Sequence, residues 1–164
     1  MADLLEITSR ANIEASGLTT FAEHEPRIFE RGKDAANSQI GTYSTEPMYV
    51  SPKNTPRKLS GKGKTGAAKF RDGRRHVSRY FPGGYREFRA AVGRESSFVN
   101  LELFGDMRKS YIPGWRGDRF AFGFITKAEA DKAEKNERHF KKEIFALTDG
   151  EIDMFIDTLM LPLE

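Results

Sequence analysis

The sequence predicts an α+β fold: a small antiparallel sheet packed with N-terminal and C-terminal helices, and a long basic loop. Three observations carry this expectation. Phe120, Phe122 and Phe124 alternate with Arg119, Ala121 and Gly123, the period of a strand with one apolar face. Ile152, Phe155, Ile156, Leu159 and Met160 recur at i, i+3, i+4, i+7 and i+8, the period of a helix that buries one stripe. From residue 33 to 70 the chain is rich in Gly, Pro, Ser, Asn and Lys, and only Pro47-Met48-Tyr49-Val50 reads as a strand there.

The elements follow in order. Leu4, Ile7 and Ala11 sit at helical spacing, and Asp3 with Glu6 forms a capping box for a helix over residues 3–15. Gly17 interrupts it. A second helix is expected within residues 20–31, starting near Pro26, with Gly32 as its stop. Gly83-Gly84 precedes a short helix with Tyr85, Phe88 and Val92 on one face, and Gly93 ends it. Val99, Leu101 and Leu103 alternate like a strand, whereas Phe104, Met107 and Tyr111 suit a helical turn; the pattern leaves both open. Pro113-Gly114 and Gly117-Asp118 supply turns, so Tyr111-Ile112 should form a hairpin with the Phe120–Phe124 strand. Thr126 with Glu129 and Thr148 with Glu151 are two further capping boxes, each opening a helix. The first of these helices is charged nearly all round, with Lys127–Asp131, Asp131–Lys135 and Glu134–Arg138 at i, i+4.

The 164 residues suit one domain, 1–164, with residues 53–70 as a flexible basic loop within it. Hydrophobic residues make up 38% of the chain, enough for one core, and no apolar run approaches the ~18 residues of a membrane helix. The first residues lack a basic and then apolar leader, so no secretory signal is expected. The absence of cysteine removes disulfides, thiolate catalysis and cysteine-bound zinc, and it fits assembly in a reducing cytoplasm.

The net charge of +3 hides an asymmetry. Residues 53–94 hold thirteen basic and two acidic side chains, a net +11, and the rest of the chain carries −8. Such a split points to a partner surface, nucleic acid or acidic protein. Within it, Arg79-Tyr80-Phe81, Tyr85-Arg86 and Phe88-Arg89 interleave arginine with aromatic rings. That pairing suits phosphates and stacked bases, and equally a protein interface. The bland alternative is core aromatics with solvated arginines. The expected contact set, for a partner or for DNA, is Lys62, Lys64, Arg71, Arg74, Arg75, Arg79, Tyr80, Arg86 and Arg89.

No catalytic, cofactor or metal residues are expected. Gly63-Lys64-Thr65 matches the second half of a phosphate loop, but Lys58 stands where its first glycine belongs and no apolar strand precedes it. His24, His76 and His139 are mutually isolated and read as single surface or core-edge residues. Glu129, Asp131, Glu134 and Glu137 read as a solvated face. Asp149, Glu151, Asp153 and Asp157 flank the last apolar stripe and partly serve its helix N-terminus. Ser78 and Ser110 have no evident base. An enzyme is therefore not expected.

Two stretches carry a family resemblance. The first joins Arg27-Ile28-Phe29-Glu30-Arg31-Gly32-Lys33-Asp34 to Asn37-Ser38-Gln39-Ile40-Gly41-Thr42-Tyr43-Ser44. It resembles small virion morphogenesis proteins of tailed phages. The second, Val99-Asn100-Leu101-Glu102-Leu103-Phe104-Gly105-Asp106-Met107-Arg108-Lys109-Ser110, resembles the Leu-x-x-Thr-Gly-x-Leu-x-x-Ser element of neck and tail-completion proteins, with Phe104 in the threonine position. The hairpin, the helix with Ala130, Ala133 and Asn136-Glu137, and Ile144-Phe145-Ala146-Leu147-Thr148 continue the likeness. The resemblance implies a ring-forming head–tail connector subunit of the virion, assembled in the host cytoplasm, without catalytic residues. It also implies portal, adaptor or tail-tube partners and non-specific DNA in the lumen. The competing expectation is a stand-alone basic nucleic-acid-binding protein.

Overall fold

The computed structural model describes residues 9–51, 64–69 and 75–161, with 64–69 and 75–78 as backbone alone. It is an α+β fold, with five helices and five strands among the described residues. The chain forms two compact units where its length suggested one domain: Met1–Ile40 with Asn100–Glu164, and Gly41–Val99.

In the first unit, helix α1 runs unbroken over Arg10–Phe29. The Ser9 side chain caps it by accepting from the Asn12 N–H at 3.2 Å. The expected break at Gly17 does not occur. A β-carbon at Gly17 would lie 2.1 Å from the Phe120 ring, so glycine is required here by a close contact with the hairpin. Pro26 falls in the last turn and forfeits only its bond to the carbonyl of Ala22, an exposed residue. The helix stops as expected before Gly32, whose φ is +62°. The Asp3–Glu6 capping box lies outside the described residues.

The strand reading of residues 99–103 fails, because Leu101 takes a left-handed φ of 55°. A short helix, α3 (Asp106–Ser110), follows instead. Strands β4 (Tyr111–Arg116) and β5 (Arg119–Phe124) form the expected hairpin, in register Tyr111↔Phe124 through Arg116↔Arg119. Its turn is Gly117-Asp118. Pro113-Gly114, expected as a turn, stays inside β4, where a two-stranded ladder tolerates proline. Helix α4 (Lys127–Phe140) starts at Thr126, which accepts from Glu129 N–H. Helix α5 (Asp149–Leu159) starts at a complete Thr148–Glu151 capping box. The unit's core is Ile28, Phe29, Ile40, Met107, Tyr111, Ala133 and Ile144. Rings extend it: Phe122 meets Phe21 edge-on at 5.0 Å, and Phe124 meets Phe145 at 5.2 Å.

The second unit holds a three-stranded antiparallel sheet in the order β1-β3-β2: β1 (Met48–Val50), β2 (Lys64–Lys69) and β3 (Arg75–Phe81). The expected loop over 53–70 is therefore corrected at 64–69, which pairs with β3 along its full length. Residues 52–63 and 70–74 lie outside the described residues. Helix α2 (Gly84–Ala91) packs on β3, and Phe81 meets Phe88 at 5.4 Å. A β-carbon at Gly84 would come within 2.5–2.7 Å of backbone atoms at residues 44–46, so this approach also demands glycine.

Candidate interaction surfaces and a buried polar cluster

Helix α5 is oriented by a polar cluster that joins distant parts of the first unit. His24, Arg27 and Tyr111 are buried, and Glu151 reaches them from the first turn of α5. Arg27 Nε donates to Glu151 Oε1 at 2.8 Å, and its Nη2 donates to the carbonyls of Ala146 (2.7 Å) and Ile144 (3.3 Å). His24 Nδ1 lies 3.0 Å from Glu151 Oε2, and Nε2 lies 2.8 Å from the Tyr111 hydroxyl. The assignment that satisfies this network has Nδ1–H donating to the carboxylate and Tyr111 O–H donating to Nε2. Burial raises the Glu151 carboxyl, but hydrogen bonds from His24, Thr148 N–H and Arg27 outweigh it and bring the group down to about 2. Burial pushes the Tyr111 hydroxyl up, which keeps it protonated as a donor.

This cluster corrects two expectations. His24 is fully enclosed rather than at a surface or core edge, and Glu151 is a buried ion-pair partner as well as a cap. The Glu151 contacts turn that side of α5 inward. Its apolar stripe is rotated partly outward as a result: Phe155 and Leu159 are half-buried, while Ile152, Ile156 and Met160 are 42%, 49% and 56% exposed. Phe155 lines an apolar cleft of about 460 Å³ with Gly17, Thr20, Phe120, Phe122 and Phe145. Next to the exposed row, Asp149, Asp153 and Asp157 are also exposed.

The carboxylates of α4 are not a uniform solvated face. Glu129 is buried and pairs with Lys132, while Glu137 accepts the N–H groups of Ile144 (2.8 Å) and Phe145 (3.1 Å). Of the i, i+4 pairs read from the sequence, Glu134–Arg138 closes at 2.6 Å. Asp34 is held by Lys142 and Ser38. Burial raises its carboxyl, but these partners together bring it below the ordinary value. Arg108 bridges Glu25, Glu30 and Glu102.

The expected contact set divides. Lys62, Arg71 and Arg74 lie outside the described residues. Lys64 and Arg75 lie on β2 and β3, with Lys64 the register partner of Tyr80. Tyr80 is half-buried and packs on Tyr49 at 4.9 Å, and Tyr49 is 58% exposed. Arg79 is half-buried and Arg86 exposed. Arg89 leaves the set: it is only 1% exposed, with its guanidinium 4.2 Å over the Tyr43 ring and Nε donating to the Glu95 carbonyl at 2.6 Å. It is a structural cation.

Of the other histidines, His139 is exposed and His76 is described by backbone alone. Among the described residues no group of three or more His, Asp or Glu side chains is placed to hold a metal ion, and no helix is long and apolar enough to cross a membrane. Comparison of the chain with family models, with curated proteins and with solved structures gave no match.

Proposed function

We propose that the protein is a structural subunit of a tailed-bacteriophage particle, a ring-forming neck or tail-completion protein at the head–tail junction. Copies associate by surface complementarity in the host cytoplasm, dock on portal, adaptor or tail-tube proteins, and surround DNA without reading its sequence. The family resemblance of residues 27–44 and 99–110 motivates this reading. The observation that carries it furthest is the exposed row Ile152, Ile156 and Met160 on a helix whose opposite side is pinned by Glu151. A contiguous apolar row held toward water by buried bonds is what a protein–protein contact uses.

The test is genetic and structural. Loss of the protein should leave DNA-filled heads and tails unjoined, and labelled protein should sit at the junction in particle images. Normal particles without it would overturn the reading.

A second reading, a stand-alone nucleic-acid-binding protein, draws support from exposed Arg86 and the Tyr49–Tyr80 pair. It expects the isolated chain to bind DNA tightly, with affinity falling steeply as salt rises. The connector reading expects only weak binding by a single copy.

A further inference from the structure

Charge divides along the two units. Gly41–Val99 carries thirteen basic and four acidic side chains, a net +9, while the remainder carries fourteen basic and twenty acidic, a net −6. Each copy therefore carries two units of opposite net charge. On the acidic unit, α5 exposes the row Ile152, Ile156 and Met160 beside the row Asp149, Asp153 and Asp157, and the helix contains no basic residue. Residues four apart stack along a helix, so these are adjacent parallel stripes, one apolar and one acidic. On the basic unit, Tyr49 and Tyr80 pack ring to ring across β1 and β3, and Lys64 on β2 is the next residue across the ladder.

We propose that these surfaces are partners in assembly: α5 of one copy seats on the Tyr49–Tyr80 face of the next copy's sheet. This rests on the reading of the chain as a self-assembling subunit, and it names the contact. The apolar stripe meets the tyrosine rings, and the aspartate stripe meets the cationic unit. Opposite net charges steer the encounter and oppose pairing of like surfaces. DNA fits α5 poorly, because a phosphate backbone repels aspartate and offers nothing to an isoleucine row. The contact joins different surfaces, so it is heterologous and propagates from copy to copy, as a ring requires. An 11-residue helix offers less than the roughly 800 Å² per partner of a standard interface. Single contacts are therefore weak, and closure multiplies them.

The test is complementation between two variants, read by light scattering. D153K/D157K spoils α5 and leaves the sheet; Y49D/K64E spoils the sheet face and leaves α5. The full-length parent should associate with rising concentration, and less so at high salt. Each variant alone should stay monomeric while keeping the parent's circular-dichroism spectrum, with Y49D/K64E melting somewhat lower because the Tyr49–Tyr80 ring contact is lost. Mixed in equal amounts, at concentrations well above those at which the parent associates, they should form dimers and nothing larger, because one good contact remains per pair and no ring closes to reinforce it. A mixture that stays monomeric, or a variant that still associates alone, overturns the contact without touching the particle assignment. A parent that is monomeric at every concentration yet present in particles does the same. If Y49D/K64E loses DNA binding while still self-associating, the tyrosine face belongs to nucleic acid and the proposal fails.

Discussion

Glu151→Gln tests the claim that a buried ion pair sets the orientation of α5. The substitution keeps side-chain volume and removes the charge. In the native chain the carboxyl moves from its ordinary 4.5 to about 2. A tenfold change in proton affinity is about 1.4 kcal/mol, so ionisation alone contributes roughly 3 kcal/mol at neutral pH. Removing one partner also leaves the Arg27 guanidinium buried without a counter-charge and faces the His24 Nδ1–H with an amide, which brings the expected loss to about 3–5 kcal/mol. The pH dependence follows from the sign. A carboxyl lowered by folding stabilises the protein above its unfolded value and loses that contribution as pH falls toward its folded value. The gap between parent and variant should therefore narrow by about 2 kcal/mol between pH 5 and pH 3. Asp34 titrates in both proteins and cancels in the difference. The assay is urea unfolding followed by fluorescence of Trp115, the single tryptophan, which lies in the same unit. A gap under about 0.5 kcal/mol at pH 7, or one that is unchanged at pH 3, would refute the reasoning.

Gly17→Ala should cost about 1–3 kcal/mol, because the Phe120 ring must yield, and a thermal melt will show it. Phe155→Ala should cost only about 1–2 kcal/mol, since the ring is half-buried at a cleft; a loss near 5 would mean that α5 is packed more deeply. Arg86→Glu should leave the melting temperature within error, whereas Arg89→Glu should unfold the sheet unit, since it puts a carboxylate under Tyr43 and beside the Glu95 carbonyl. Equal responses of the two variants in circular dichroism would contradict the placement of Arg89.

Local features were legible in the sequence wherever local rules decide them. The Phe120–Phe124 alternation, the hairpin to Tyr111 and the Thr148–Glu151 capping box form as read, while the Thr126–Glu129 box forms only in half, because Thr126 N–H goes to the Ser110 hydroxyl and the Glu129 carboxylate to Lys132. What failed depends on contacts distant in sequence. Gly17 reads as a breaker until Phe120, about a hundred residues on, is seen to need its missing side chain. Residues 64–69, Lys-Thr-Gly-Ala-Ala-Lys, have weak strand propensity and are ordered by the ladder with β3. The stripe on α5 was found by its period, but its rotation was not, because a bond from Glu151 to Arg27 across 124 residues decides it. His24 and Arg89 follow the same logic: a lone polar residue looks exposed until its partners are located.

The most direct test of the account is the copy number of this protein in purified phage particles, counted by quantitative mass spectrometry against the major capsid protein. The account predicts a small, fixed number of copies that stays with the particle through high-salt washing. Absence from particles, or a content that varies between preparations and washes away with salt, would contradict it and favour a free nucleic-acid-binding protein.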